Sequence, residues 1–203
     1  MEIYKIVITG GPCAGKSTAF DWLKRALSEK GYTVLCIPET ATEFIIGGVA
    51  PWTCGTNIDF QKCQMELQLT KERLFMRAAK TMNTDKIVII CDRGALDNKI
   101  YMNDIDYNNV LSFLNIDEKT LLNSYDAVFH LVTAALGAEK FYTTENNEAR
   151  IETIDEAIDL DYKLINAWEK HPNFKIIDNS TGFEDKMKKL INEIFDFLNN
   201  KNA

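Results

Sequence analysis

The chain has 203 residues, of which 46% are hydrophobic and 26% are charged, and its formal net charge is −7. This length and composition predict one globular domain over residues 1–203 that buries roughly 70% of its unfolded surface. The negative charge argues against a uniformly basic face for nucleic acid. Because no stretch of 18 apolar residues occurs, we expect no transmembrane segment.

The start of the chain and its cysteines bear on the compartment. A strand that begins by Ile3 leaves no room for a signal peptide, and Glu2 excludes the Met-Gly start of myristoylation. An odd number of cysteines without a C-x-x-C pair favours reduced thiols over disulfides or zinc. The sequence therefore predicts a cytoplasmic protein.

The first elements are a strand, a glycine-rich loop and a helix. An apolar run over Tyr4–Thr9 predicts the strand, and a helix over Gly15–Lys30 ends at Gly31. Between them the sequence matches G-x-x-x-x-G-K-[ST], the phosphate-binding loop. The candidate nucleotide-binding residues are Gly10, Gly11, Pro12, Cys13, Ala14, Gly15, Lys16, Ser17 and Thr18.

The residue types of this loop explain its expected chemistry. The glycines let backbone N–H groups turn inward as an anion nest at the N-terminus of the helix. Lys16 is expected to reach the β- and γ-phosphates, and the Ser17 hydroxyl to bind Mg²⁺. The motif predicts that the chain binds ATP or GTP with Mg²⁺.

The rest of the chain alternates strands and helices. Further strands are predicted over Thr33–Pro38, Ile87–Cys91, Ala127–Thr133 and Phe174–Ile177. Capping patterns predict helices that open at Thr56 and run to about Met82, open at Thr153, and open at Thr181. The helical spacing assigns Phe60 and Leu74 to the core side of the long helix, and Ile154 to the core side of the next. This order predicts an α/β doubly wound parallel sheet with its ligand at the carboxyl ends of the strands.

Two acidic residues follow the second strand. Glu39 comes directly after it and could accept the proton of an acceptor hydroxyl, or could simply be a carboxylate favoured at a helix N-terminus. Glu43 lies one helical turn further on and could share or replace the role of Glu39.

Asp92 and Arg93 follow the third strand. Asp92 suits the second Mg²⁺-organising position of a phosphate-loop enzyme, and its alternative role is to cap a helix and pair with Arg93. Asp97 either orients a substrate or Arg93, or caps a helix. The amides of Gln61 and Gln64 suit the edge of a ligand, although glutamines on such helices are usually solvated.

The polar segment 137–150 follows the fourth strand and has the length of a functional loop. Lys140 and Arg150 are the cations there that could stabilise a transferring phosphoryl group, or they could be exposed charges. His130 and His171 are interpreted as packing and helix-end residues rather than catalysts.

The sequence resembles the AAA-type P-loop family that unites the ribosylnicotinamide kinase domain of NadR with the TRPL translocation defect protein. The motifs that carry the resemblance are the phosphate loop, Glu39, Phe60-Gln61-x-x-Gln64, Asp92-Arg93-Gly94-x-x-Asp97 and the strand over 125–131. The later stretches 137–150, 167–172 and 176–181 are more similar to the translocation-defect branch.

The resemblance implies a three-layer P-loop NTPase fold with a lid over about 137–150 and the kinase-type strand order 2-3-1-4-5. It implies that Asp92 lies beside the phosphate loop and that Arg150 is the lid arginine. Glu39 and Asp92-Arg93 match the carboxylate and D-R elements of deoxynucleoside kinases. Members of the translocation-defect branch are described as GTP-binding and lipid-linked, which leaves room for a lipid or protein partner.

Three activities fit these observations. The leading hypothesis is a phosphotransferase that moves the γ-phosphoryl group to a small hydroxyl-bearing acceptor, with Lys16, Glu39, Asp92, Arg93 and Arg150 as the catalytic candidates. The alternatives are a nucleotide-dependent switch of the translocation-defect type and a plain ATPase. The chain lacks the N-K-x-D guanine-reading motif, because Asn98-Lys99-Ile100-Tyr101 fails at the aspartate.

Overall fold

A computed structural model describes residues 1–142 and 153–201. Five parallel strands form one sheet in the order β2-β3-β1-β4-β5, and helices flank it. The strands are β1 Glu2–Thr9, β2 Thr33–Ile37, β3 Lys86–Asp92, β4 Ala127–Leu131 and β5 Phe174–Ile177. The helices are α1 Lys16–Glu29, α2 Thr40–Ile46, α3 Asn57–Ala79, α4 Asp104–Leu114, α5 Glu118–Asn123, α6 Ile154–Trp168 and α7 Phe183–Lys201. The predicted fold class and strand order are confirmed.

The chain divides into two compact units. The first contains residues 1–7 and 33–126, and in it β2 pairs with β3 in a register that sets Thr33 opposite Ile87. Its sheet core is apolar because four consecutive residues of β3, Ile87–Ile90, are fully buried. α2 packs on α3 through the rings of Phe44 and Phe60, whose centroids are 6.3 Å apart.

A buried polar network lies within the first unit. The ammonium of Lys5 lies 2.6 Å from the carboxylate of Glu72 on α3, and the Tyr125 hydroxyl donates to the same carboxylate at 2.8 Å. The Ala95 N–H donates to the Tyr125 hydroxyl oxygen at 2.8 Å. Burial and the nearby Glu72 raise the pKa of Tyr125 well above its ordinary value. The network therefore links β1, α3 and the segment that follows β3.

The second unit contains residues 8–32 and the described residues from 127 onward. β4 pairs with β5 in a register that sets Val128 opposite Phe174. α6 begins with a complete capping box at Thr153 and Glu156 and buries Trp168 at its other end. Buried residues of α6 and of the amphipathic α7 contribute to this unit's core, together with buried residues of α1 and β4.

Several local predictions were wrong. The last helix begins at Phe183, two residues after the predicted Thr181 cap. Leu74 and Ile154 are 46% and 44% exposed, contrary to the prediction. The buried side of α3 instead carries several polar residues. The buried side of α6 is formed by Ala157, Asp161, Leu164 and Trp168. The short helices α4 and α5, which begin after caps at Asn103 and Asp117, were not predicted. Glu39 is the N-cap residue of α2, which agrees with the interpretation that it lies at a helix N-terminus. Across the described residues, no helix is both long and apolar enough to span a membrane.

Candidate functional site

The phosphate loop joins β1 to α1 in the second unit. Its backbone takes positive φ at Gly10, Cys13 and Gly15, with values of 148°, 56° and 90°. A Cβ at Gly10 would lie 2.2 Å from the carbonyl oxygen of Leu131, so only glycine fits this position. Because Gly15 at the N-cap of α1 has no side chain to cap the helix, the first amides of α1 remain suited to an anion.

Lys16 lies across this loop. Its ammonium donates to the carbonyl oxygens of Gly10 at 2.9 Å and Gly11 at 3.2 Å. The side chain is thus held over the turn that the sequence assigns to the phosphates. Ser17 follows as the second residue of α1 and is exposed.

A second cluster, formed by Glu39, Arg93 and Asp97, lies in the first unit. The Arg93 Nε donates to Oε1 of Glu39, and Nη1 lies 3.6 Å from Oδ2 of Asp97. Burial alone would lower the pKa of Arg93, but the carboxylates, chiefly that of Glu39, raise it well above its ordinary value. We call these three residues the Glu39–Arg93 cluster.

The backbone at Arg93 is strained and supported from α3. Arg93 has φ 70°, in the left-handed region that non-glycine residues seldom occupy. Gln68 Nε2 donates to the Arg93 carbonyl oxygen at 3.3 Å, and Asn98 Nδ2 donates to Gln68 Oε1 at 3.1 Å. Gln68 and Asn98 are 4% and 2% exposed. No local pattern predicts either contact, because the partners are 25 and 30 residues apart along the chain.

The structure separates the two acidic candidates that follow β2. Glu39 is paired with Arg93 and also accepts a hydrogen bond from the Thr42 hydroxyl at 2.8 Å. Glu43 instead pairs with Lys71 at 2.9 Å. Lys71 also donates to the carbonyl oxygen of Pro38 at 2.8 Å. Glu39 alone of the two therefore joins the arginine cluster, and Glu43 belongs to the surface packing of α2 on α3.

Gln61 and Gln64 are buried on α3, at 3% and 5% exposure, rather than solvated. Gln61 Nε2 reaches Asn57 Oδ1 at 3.5 Å, whereas its Oε1 is buried and accepts no hydrogen bond from any residue in the described ranges. A buried amide oxygen in this state is costly unless another group donates to it.

The remaining candidates belong neither to the phosphate loop nor to the Glu39–Arg93 cluster. Asp92 is the last residue of β3, and Lys140 is exposed in a short 3₁₀ turn over Glu139–Phe141. Arg150 and most of the predicted lid lie outside the described residues. His130 is buried in β4, and buried His171 accepts a hydrogen bond from the Asn173 N–H at 3.2 Å on its Nδ1.

The oxygen donors of the candidate residues bear on whether Mg²⁺ can bind. Within residues 1–142 and 153–201, no group of three or more His, Cys, Asp or Glu side chains could hold a metal on its own. The candidate ligands, a serine hydroxyl and an aspartate carboxylate, are the hard oxygen donors that Mg²⁺ uses together with phosphates. The residues present therefore fit a metal that arrives with the nucleotide.

The sheet order and the loop at the end of β1 define a P-loop protein with a kinase-type fold. A family profile described as an AAA domain matches residues 5–186, and the chain belongs to that family. Among solved structures, the chain is similar to deoxyadenosine kinase from M. mycoides with bound dATP, at TM-score 0.62 and 19% identity. The match covers 94% of this chain and 98% of the kinase. The search of curated proteins finds no match.

Proposed function

We propose that this chain is a Mg²⁺-dependent phosphotransferase that moves the γ-phosphoryl group of ATP or GTP to the hydroxyl of a small, nucleoside-like acceptor. The observation that carries the proposal is the Glu39–Arg93 cluster. A phosphate loop alone also serves hydrolases and switches, but a partly exposed carboxylate beside a guanidinium adds a base for an acceptor hydroxyl.

The phosphate loop supplies the donor end of the reaction. Its amides and the Lys16 ammonium would hold the β- and γ-phosphates, and the Ser17 hydroxyl and Asp92 carboxylate would hold Mg²⁺. The metal, when bound, neutralises charge on the phosphate oxygens. Lys16 already lies over the loop carbonyls, so a short side-chain movement would exchange these acceptors for phosphate oxygens.

The chemistry assigned to the cluster is a proton transfer and charge stabilisation. The acceptor hydroxyl gives its proton to Glu39, and its oxygen forms a bond to the γ-phosphorus. The bond from that phosphorus to the bridging oxygen breaks, and the nucleoside diphosphate leaves with the electron pair. Arg93 stabilises the developing charge. Arg150 is proposed to assist as the lid arginine.

The proposed acceptor is nucleoside-like because of α3. Gln61 presents a buried Oε1 without a donor among the described residues, which suits a ligand N–H, and Gln64 lies on the same helix. Two further observations support a nucleoside-like acceptor. The fold is similar to that of a deoxyadenosine kinase with bound dATP, and the sequence resembles the NadR and translocation-defect family.

The test is incubation with Mg·ATP or Mg·GTP and a nucleoside-rich metabolite extract, followed by mass spectrometry for products heavier by about 80 Da, one phosphoryl group. Glu39→Gln is expected to slow single-turnover transfer by about 10²-fold or more, and the control Glu43→Gln to leave it nearly unchanged. Release of inorganic phosphate alone would identify a hydrolase. Binding of Mg·ATP or Mg·GTP without any turnover would support the nucleotide-dependent switch instead.

A further inference from the structure

Three side chains of the second unit hold the backbone of the phosphate loop from the side. Asp161 on α6 accepts a hydrogen bond from the Gly11 N–H at 2.8 Å. The Thr133 hydroxyl, beyond the end of β4, donates to the Pro12 carbonyl oxygen. Lys186 on α7 donates to the Ala14 carbonyl oxygen at 3.2 Å. Side chains from three separate parts of the chain thus hold three different peptide groups of one loop.

Asp161 is buried and makes contacts through both of its carboxylate oxygens. Its side chain is 3% exposed, and its Oδ1 accepts from the Thr133 N–H at 3.1 Å as well as from Gly11. Its Oδ2 lies 3.2 Å from Nε2 of the fully buried His130. A Cβ at Gly11 would lie 2.7 Å from Oδ1, so the carboxylate is packed directly against the loop backbone.

This contact determines which way one loop amide points. An N–H that donates to a carboxylate at 2.8 Å is directed at that carboxylate and is not available to a phosphate oxygen. Turning Gly11 towards Asp161 sets the first turn of the loop, and the later amides then have a fixed orientation before the ligand arrives. Such preorganisation lowers the cost of binding.

We propose that Asp161 is a positioning residue for the triphosphate, which holds the Gly11 amide away from the ligand so that the rest of the loop is shaped for phosphates. The inference rests on the proposed binding of a nucleoside triphosphate at this loop. His130 lies behind Asp161 and closes the space on its other oxygen. No local pattern indicates this role, because Asp161 is 150 residues from Gly11 along the chain.

The first test is calorimetric titration of the full chain with Mg·ATP. Asp161→Ala removes the acceptor of two buried N–H groups and is expected to weaken binding at least about tenfold. Asp161→Asn keeps a carbonyl oxygen in place and is expected to restore affinity to within about threefold. The control Asp159→Ala removes a mostly exposed carboxylate from the same helix and is expected to bind as the wild type does. Wild-type affinity in Asp161→Ala, or a failure of Asp161→Asn to restore it, would overturn the proposal.

A second test uses only the wild-type protein and so does not depend on whether a variant folds. Labelling with ¹⁵N-glycine gives signals from ten glycines, and the Gly11 signal is assigned by sequential correlations in uniformly ¹³C,¹⁵N-labelled wild-type protein. The Gly11 amide is expected to exchange slowly with solvent both before and after Mg·ATP is added. If that amide exchanges as fast as an unstructured peptide until nucleotide arrives, it points at the phosphates and the proposal fails.

These outcomes are separable from those of the proposed function. If the wild type binds Mg·ATP and Asp161→Ala binds it weakly, yet no acceptor is phosphorylated, the proposed kinase reaction is refuted and the proposed role of Asp161 is supported. If Asp161→Ala binds Mg·ATP as tightly as the wild type does while acceptors are phosphorylated, only the proposed role of Asp161 is refuted. If the wild type binds no triphosphate, both fail.

Discussion

Lys186 gives a stability prediction whose sign and size follow from its surroundings. Its side chain is buried, at 3% exposure, and it donates to the carbonyl oxygens of Ala14 and Val132 and to Asn179 Oδ1. Burial is the main cause that lowers the pKa of Lys186 from 10.5 to about 8, while nearby Asp161 opposes the change. A lysine whose pKa is lowered by folding destabilises the folded state at every pH at which the folded protein keeps that lysine protonated.

The sign follows from proton counts. Below pH 8 both states hold the proton, so the folded protein bears the full cost of about 3 kcal/mol. Between pH 8 and 10.5 the folded state releases the proton while the unfolded chain keeps it, so stability rises with pH. Relative to Lys186→Met, the wild type is expected to gain about 2.5 kcal/mol of unfolding free energy between pH 7 and pH 10.

The assay is urea unfolding of wild type and variant, under reducing conditions, at four pH values from 7 to 10. The difference between the two proteins is the measured quantity, because the other titrating groups largely cancel in it. The control Lys188→Met removes an exposed ammonium from the same helix and is expected to change stability by less than about 0.5 kcal/mol at pH 7. A difference between wild type and Lys186→Met that stays flat, or falls, as pH rises would refute the reasoning.

Three further predictions follow from single contacts. Glu72→Gln leaves the Lys5 ammonium buried without the carboxylate that lies 2.6 Å away, and is expected to lower the unfolding free energy measured in urea by about 3–5 kcal/mol. The control is Glu66→Gln at an exposed position of the same helix, and an equally small loss in both variants would contradict the network. Gly10→Ala sets a Cβ 2.2 Å from a backbone oxygen and is expected to weaken Mg·ATP binding at least about tenfold by calorimetry, so unchanged affinity would count against the loop geometry. Thr153→Ala removes the capping box of α6 and is expected to lower the unfolding free energy by about 1 kcal/mol, and no loss would mean that the cap is not formed in solution.

The framework of this protein was predictable because its signals are local. Apolar runs such as Ile87–Ile90 and the glycine pattern of the phosphate loop specify strands and a turn from neighbouring residues alone. The cap at Thr56 was likewise visible, and its side chain accepts from the Asp59 N–H as expected. Strand order came from a family resemblance rather than from the residues.

The polar contacts beneath the candidate sites were not predictable, because their partners are far apart in the chain. Gln68, Glu72 and Asp161 occupy helix positions where a polar residue normally indicates a solvated face. Each is instead buried against a backbone or charged group dozens of residues away. Only the tertiary structure shows which distant residue is the partner of each of these side chains. The same holds for the preference of Arg93 for Glu39 over Glu43.

The most direct test of the account is calorimetric titration of the folded protein with Mg·ATP and Mg·GTP. Lys16→Met removes the ammonium that lies over the loop, and Lys24→Met is the control because it removes an exposed ammonium from the same helix, α1. We expect saturable binding of at least one triphosphate by the wild type and by Lys24→Met, and binding at least about tenfold weaker by Lys16→Met. No heat from either triphosphate with the wild type, or equal affinity in Lys16→Met, would contradict the central claim that this loop binds a nucleoside triphosphate.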